Sequence, residues 1–376
     1  MRMLFVAGGS GGVIFAITPL ALAARNAGHE VFVAAPENVV DTVAGTGLPC
    51  VPVTRLTMLD FMFSDRDGRP IERPTDLHER FIFNGRGMGR FAAGSLDGLL
   101  DLTAAWRPDV VVGGALSFSA GLIAAHLGVP FVQHAVDMGE PRMIDLAAAA
   151  ELAPELQRLG LRSMPEPDLF IDVCPPSLRR PEAPASKAMR YIPISTQGAV
   201  EPWMYTKGDR RRVLVTAGSR VTPEFDLDIL SGLAEKVSAL DMELLIAAPQ
   251  KVVSELSHLP DEIRVGWLPL DVLAPTCDLL VHHAGGNTML TGMANGVPQV
   301  VVPYLPYVVD YSTRLRDAGA ARMILPGEDS PENVADACER VLGDPEYARS
   351  AAAIRDEMHS LPTPADLLGD VEALVG

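Results

Sequence analysis

A chain of 376 residues is too long for one ordinary α/β domain and short for three, so two domains of roughly 150 to 200 residues each are expected. The hydrophobic class makes up 48% and charged residues 21%, which excludes a disordered or collagen-like chain. A formal net charge of −17 disfavours nucleic acid and anionic membranes as partners, so a phosphate group must be held locally, by backbone amides and a few placed side chains.

The chain starts on a buried strand at residues 3–8 (MLFVAG) and runs at once into a glycine loop. It shows no basic-then-apolar leader and no uninterrupted apolar span of bilayer length, so a cytoplasmic protein is expected. A second strand follows at 30–35 (EVFVAA). Residues 54–91 then carry Met58, Phe61, Met62, Phe63, Phe81, Phe83, Met88 and Phe91 among charges and glycines, and read as a long loop. Strands resume at 109–114 (DVVVGG) and 130–133 (PFVQ), and a second set begins at 212–218 (RVLVTAG), 243–248 (ELLIAA), 278–283 (DLLVHH) and 299–303 (QVVVP). Short apolar runs alternating with helix-length amphipathic segments are the pattern of β-α-β units around a parallel sheet.

The stretch from Asp109, DVVVGGALSFSAGLIAAHLGVPFVQ, resembles DLLVHHAGGNTMLTGMANGVPQVVV from Asp278. Both read strand, loop, helix and Gly-Val-Pro into the next strand, with the helices ending at Gly128 and Gly296. The fold class is therefore α/β, with two Rossmann-like doubly wound domains facing a cleft. The proline-rich, polar stretch 175–212 holds the boundary, giving a first domain at 1–195, a linker at 196–210 and a second domain at 211–376. After Pro364, the spacing of Leu367, Leu368, Val371 and Leu374 predicts a C-terminal helix that could pack on either domain. Cys50, Cys174, Cys277 and Cys338 have no close-spaced partners and read as reduced core residues.

Ligands of open parallel α/β domains sit beyond the carboxyl ends of the strands, where helix N-termini favour anions. His283 to Thr288 occupies such a place, the strand running through Ala284, Gly285, Gly286, Asn287 and Thr288 into a helix from about Met289. Several amides would converge there, small residues would let the backbone approach a diphosphate, Thr288 adds a hydroxyl and His283 a donor. The alternative is a plain glycine turn with two half-buried histidines.

Upstream, VGWLPLDVLAPTCDLLVHHAGGNT resembles the nucleotide-diphosphate-sugar signature of the two-domain (GT-B) glycosyltransferases of natural-product biosynthesis. The likeness spans nearly the whole chain through RMLFVAGGSGGVIFAITPLALAARNAGHEV, PDLFIDVCPPSLR, EPWMYT and RVLVTAGSRV, and is closest to the angucycline deoxysugar transferases, the landomycin and urdamycin olivosyltransferases. It implies that Trp267, with Val265 and Leu268, meets the nucleobase, and that Ser219 and Arg220 approach the phosphates. The alternatives are a core aromatic, a turn former and a surface charge.

The resemblance further implies an inverting transfer of D-olivose from its thymidine diphosphate (dTDP) carrier to a polycyclic phenol or its ortho carbon. Amide dipoles and His283 would take the phosphate charge, so no metal and no cofactor beyond the donor substrate is expected. Many members of the wider family carry a first-loop histidine as base where this chain has Val13, and the olivosyltransferases it resembles lack it too. Asp137, in the loop HAVDMGE after the fourth strand, is the candidate substitute, with Glu140 and His134 as rivals and a solvated loop aspartate or helix cap as its alternative role. Ser10 could touch acceptor or phosphate. Met58, Phe61, Met62, Phe81, Phe83 and Met88 could line an acceptor pocket, or anchor the long loop to the core. Tyr307 and Val308 stand where relatives hold sugar hydroxyls with an acid and an amide, and a less polar lining suits a deoxysugar. A silent homologue that activates a partner enzyme and a nucleotide-sugar epimerase are the rival readings. A homodimer is compatible with the sequence but not specified by it.

Overall fold

The computed structural model describes residues 1–139, 142–223, 226–238, 240–305 and 307–376, with the backbone alone for Leu77. The chain forms two compact units, one of Met1–Val173, Glu182–Met189 and Pro362–Gly376, the other of Cys174–Pro181 and Arg190–Leu361. The division thus differs from the single cut expected between 195 and 211. The chain first leaves the first unit at Cys174, and its final segment returns there.

In the first unit the strands are β1 (Arg2–Val6), β2 (Glu30–Pro36), β3 (Cys50–Thr54), β4 (Val110–Gly114), β5 (Phe131–His134), β6 (Leu169–Asp172) and β7 (Lys187–Ala188). In the second they are β8 (Arg212–Thr216), β9 (Glu243–Ala247), β10 (Arg264–Gly266), β11 (Leu279–His282), β12 (Gln299–Val301) and β13 (Ala321–Met323). The sheets run β3-β2-β1-β4-β5-β6-β7 and β10-β9-β8-β11-β12-β13, with every pairing parallel. Counted within its own unit, each sheet follows the doubly wound order 3-2-1-4-5-6, with β7 added beyond β6 in the first, and the order reverses between β1 and β4 and between β8 and β11. The central strands are covered on both faces, which is why β4 and β8 are apolar runs without alternation.

The internal repeat corresponds to matching geometry. Helices Phe118–Leu127 and Gly286–Ala294 are each followed by a left-handed glycine, Gly128 at φ 65° and Gly296 at φ 66°. The amides just beyond them, Val129 and Val297, donate back to Ala124 O at 3.1 Å and Gly292 O at 2.9 Å. Both helices are thereby closed by the same glycine-dependent cap.

Residues 54–91 are not a long loop. They contain the helix Met58–Phe63, opened by a Thr57–Asp60 capping box, and the start of the helix Leu77–Ala105. The glycines of that second helix are contact points. A Cβ on Gly85 would collide with the Ile144 carbonyl, one on Gly87 with the Met62 sulfur and one on Gly98 with the Val53 carbonyl, while one on Gly89 would lie 2.7 Å from the Glu151 Cβ. Glycine costs helix propensity at each position, and close approach of the neighbours offsets that cost.

The C-terminal helix Pro364–Glu372 packs on the first unit, against Gly11–Asn26. Glu372 accepts from His29 Nε2 at 2.7 Å and Asp370 pairs with Lys187 at 3.2 Å.

Candidate functional site

The second unit gathers most of the predicted donor residues at its switch point. β11 ends at His282, and the chain passes through His283, Ala284 and Gly285 into the helix Gly286–Ala294, which begins three residues earlier than the sequence suggests. Gly285 is the N-cap and supplies no side-chain acceptor, so the first-turn amides of Gly286, Asn287 and Thr288 lack intrahelical partners. Their dipoles and the helix N-terminus favour an anion at that spot.

The loop is held from below. Ala284 stands at φ 66°, a left-handed conformation costly for a side chain. Its N–H donates to His282 Nδ1 at 3.1 Å, and its carbonyl accepts from the Tyr311 hydroxyl at 3.1 Å. Because Nδ1 of His282 accepts, Nε2 carries the proton and donates to Gln299 Oε1 at 2.7 Å, while Gln299 Nε2 donates to Met289 O at 3.0 Å. His282 is fully buried, and burial pushes it down to about 4. It is a neutral strut, which the reading of two half-buried histidines did not anticipate.

His283 packs between two glycines. A Cβ on Gly285 would lie 2.6 Å from His283 Cε1, and one on Gly218, itself at φ 87°, would lie 2.9 Å away. Gly218 belongs to the loop after β8, next to β11 in the sheet, and brings Ser219 and Arg220 to the same end. Burial lowers His283 to about 3, with His282 and Arg220 adding to the shift and the Thr216 backbone opposing it. Its Nδ1 is buried without a hydrogen-bond partner. At neutral pH His283 is therefore an uncharged imidazole. Arg220 is hydrogen-bonded to Tyr307.

Trp267 follows β10 at the far edge of the same sheet. It is 41% exposed and so not a core aromatic, whereas Val265 and Leu268 are partly buried against the two hydrophobic clusters of this unit. Gly218, His282, Gln299 and Tyr311, together with Tyr191, whose hydroxyl stands 2.8 Å from Asn287 Oδ1, pack around this loop and were not singled out from sequence. The adjacent Gly in TAGSR was the readable signal for Gly218; the others are joined only by folding.

In the first unit, β1 leads into Gly8, Gly9 and Ser10, the N-cap of Gly11–Asn26, whose side chain makes no cap hydrogen bond. Val13 lies beside the switch point. A Cβ on Gly114 would be 3.1 Å from both Val13 Cγ1 and Val136 Cγ1, so apolar side chains flank this end of β4. Asp137 follows Val136. It is 9% exposed, and its Oδ1 accepts from Gly139 N at 3.0 Å. Its rival His134 is fully buried, donates from Nδ1 to Ala135 O at 2.6 Å, and is held down to about 4 by burial. That burial removes it from contact with an acceptor. Glu140 lies outside the described residues.

The acceptor candidates separate. Phe61, Met62 and Phe83 are buried in one cluster with Phe91, so they anchor the segment and do not present an open lining. Met58, Phe81 and Met88 are partly exposed. The buried Arg90 donates to Phe61 O at 2.8 Å and Met62 O at 3.3 Å, closing the end of the Met58–Phe63 helix. Arg66 reaches Glu151 at 2.9 Å and Glu155 at 2.7 Å from the segment that follows. Among the described residues no cluster of three or more His, Cys, Asp or Glu is placed to hold a metal, and no helix is long and apolar enough to cross a membrane.

Residues 22–218 match the N-terminal domain, and residues 231–374 the C-terminal domain, of the erythromycin biosynthesis protein CIII-like family. The L-demethylnoviosyl transferase of Streptomyces niveus is 31% identical to the chain over 97% of its length and 96% of the relative's. The glycosyltransferase SsfS6 of Streptomyces sp. SF2575, solved with thymidine diphosphate, matches with a TM-score of 0.88 at 36% identity, covering 99% of each chain. The spinosyn rhamnosyltransferase SpnG, solved with spinosyn aglycone, matches with a TM-score of 0.85 at 28% identity, over 99% of this chain and 100% of that one.

Proposed function

The chain is a glycosyltransferase of the erythromycin biosynthesis protein CIII-like family, and we propose that it moves D-olivose from dTDP-D-olivose to a phenol of an angucycline-type polyketide. The observation that carries the donor half is the uncapped first turn of Gly286–Ala294 beside His283, with Ser219 and Arg220 on the neighbouring loop. Trp267 stands three strand spacings away along the sheet, about 14 Å, a span suited to an extended nucleoside diphosphate with its base on the indole. SsfS6, with thymidine diphosphate in its solved structure, supports the choice of nucleotide.

In the proposed step, Asp137 accepts the proton of the acceptor hydroxyl. The oxygen attacks the anomeric carbon, and the bond from that carbon to the phosphate oxygen breaks. The electron pair leaves with thymidine diphosphate, and the configuration inverts. Attack from the ortho carbon instead gives a carbon link, after which the ring loses a proton. The first-turn amides of Gly286, Asn287 and Thr288 stabilise charge growing on the leaving oxygen, while the neutral His283, whose ring is hydrogen-bonded to the Thr216 backbone, packs against Gly285. The Tyr307–Arg220 pair gives the sugar pocket a lining matched to few hydroxyls. Met58, Phe81 and Met88 face the aglycone, and a soluble cytoplasmic enzyme fits this role.

The test is to incubate the purified protein with dTDP-D-olivose, dTDP-glucose and UDP-glucose against a panel of angucyclinone phenols, reading products by mass spectrometry and NMR. Product from dTDP-D-olivose alone is expected. Consumption of donor without acceptor would point to epimerase chemistry, and binding of donor without turnover to a silent partner protein.

A further inference from the structure

Ser117 is the N-cap of the helix Phe118–Leu127 and is 2% exposed, yet its hydroxyl makes no cap hydrogen bond and has no partner among the described residues. A buried hydroxyl without a partner has lost water and gained nothing for it, so its presence points to a partner that arrives with a ligand. The oxygen faces the end of β4: a Cβ on Gly114 would lie 3.4 Å from Ser117 Oγ and 3.1 Å from Val13 Cγ1 and Val136 Cγ1. The two valines border that space with methyl groups and offer no acceptor. β4 lies beside β1 where the strand order reverses, the place where doubly wound sheets take ligands. The amides of Phe118 and Ser119 precede the first intrahelical bond, so this helix end favours an oxygen that carries or develops negative charge.

A phenol that gives its proton to Asp137, the residue after Val136, develops such an oxygen. We propose that Ser117 donates its hydroxyl hydrogen to the reacting oxygen of the acceptor and, with the N-terminus of Phe118–Leu127, stabilises it as a phenolate. The inference rests on reading the first unit as the acceptor side with Asp137 as base. The proton passes from the acceptor oxygen to Asp137, Ser117 keeps its own, and no covalent bond forms at Ser117. Aligned without gaps, the internal repeat sets Ser117 opposite Gly286, so each unit turns a helix N-terminus at its switch point toward an oxygen that gains charge in the reaction.

The experiment uses the full chain saturated with an angucyclinone hydroxyquinone, whose visible absorption shifts when its phenol ionises. The bound phenol is titrated against pH in the parent, Ser117→Ala and Ser119→Ala, and kcat/KM for glycoside formation and the melting temperature are measured alongside. Ser119 is the matched control, since its hydroxyl is also buried without a partner among the described residues but stands two positions along the helix and so faces elsewhere. Ser117→Ala is expected to raise the ionisation pH of the bound phenol by about one unit and to lower kcat/KM roughly tenfold or more. Its melting temperature should not fall, because the free fold loses no hydrogen bond. Ser119→Ala should match the parent. Should Ser117→Ala not fold, Ser117→Gly, which suits a helix N-cap, gives the same reading.

Unchanged phenol ionisation in Ser117→Ala overturns the proposal and leaves the acceptor site in place. An equal shift in Ser119→Ala also overturns it, by making the effect one of the whole helix. Absence of acceptor binding by the parent overturns the acceptor reading and the proposal together.

Discussion

His283 rests on Gly285 so closely that a Cβ on the glycine would lie 2.6 Å from His283 Cε1. The imidazole cannot give way toward the loop after β8, because Gly218 closes the other side. Gly285→Ala should therefore displace the ring, weakening thymidine diphosphate roughly tenfold or more, with only a small loss of melting temperature. Calorimetry and thermal melting on the same samples check both halves. Unchanged affinity would remove His283 from the phosphate site.

The helix Leu77–Ala105 offers a contrast with helix Leu227–Val237. Gly85→Ala and Gly98→Ala drive a methyl group into a neighbouring carbonyl and should destabilise the fold by about 1 to 3 kcal/mol. Gly232→Ala has nothing within 4 Å and should stabilise by about 0.5 to 1 kcal/mol. Denaturant titration of the three variants reads the difference in sign.

Acid should destabilise the protein well before its carboxylates are neutralised. His134 and His282 are held down to about 4 and His283 to about 3 in the fold, so between pH 6.5 and 4 the unfolded chain binds more protons and stability falls as pH falls. Asp145, raised to about 6 by burial, works the other way between pH 4 and 6. The three histidines outweigh it, and unfolding free energy should drop by about 4 kcal/mol from pH 7 to pH 5. Equal stability at the two pH values would contradict the neutral, buried state of these rings.

Arg90→Met removes the donors to Phe61 O and Met62 O and should loosen the Met58–Phe63 helix. If that helix frames the aglycone, KM for the acceptor should rise roughly tenfold while thymidine diphosphate affinity stays at the parent value. A change in donor affinity alone would place the acceptor elsewhere.

The fold was largely legible because both sheets are parallel and buried, so β1, β2, β4, β5, β8, β9, β11 and β12 each leave a continuous apolar run. Of the missed strands, β6, β7, β10 and β13 are short, and β3 carries an exposed proline at Pro52, so periodicity had little to register. The glycines of residues 85–98 misled for a physical reason. Glycine marks loops by its backbone freedom, but here it serves close helix contacts that depend on the partners at Ile144, Met62 and Val53. The His283 loop was readable as a strand-to-helix turn with small residues. Its supports were not, since Gln299, Tyr311 and Tyr191 lie far from it in sequence and meet it only through the fold.

The most direct measurement is the single-turnover rate of glycoside formation from dTDP-D-olivose for the parent and Asp137→Asn, over angucyclinone phenols of graded acidity. The parent should give product with inverted configuration, and Asp137→Asn should be slower by about 10² to 10⁴-fold with the least acidic phenol, the deficit shrinking as the phenol becomes more acidic. Thymidine diphosphate affinity should be the same in both. Product at equal rates from the two proteins, or no product from the parent with any phenol, would contradict the assignment of Asp137 and of the sugar transfer respectively.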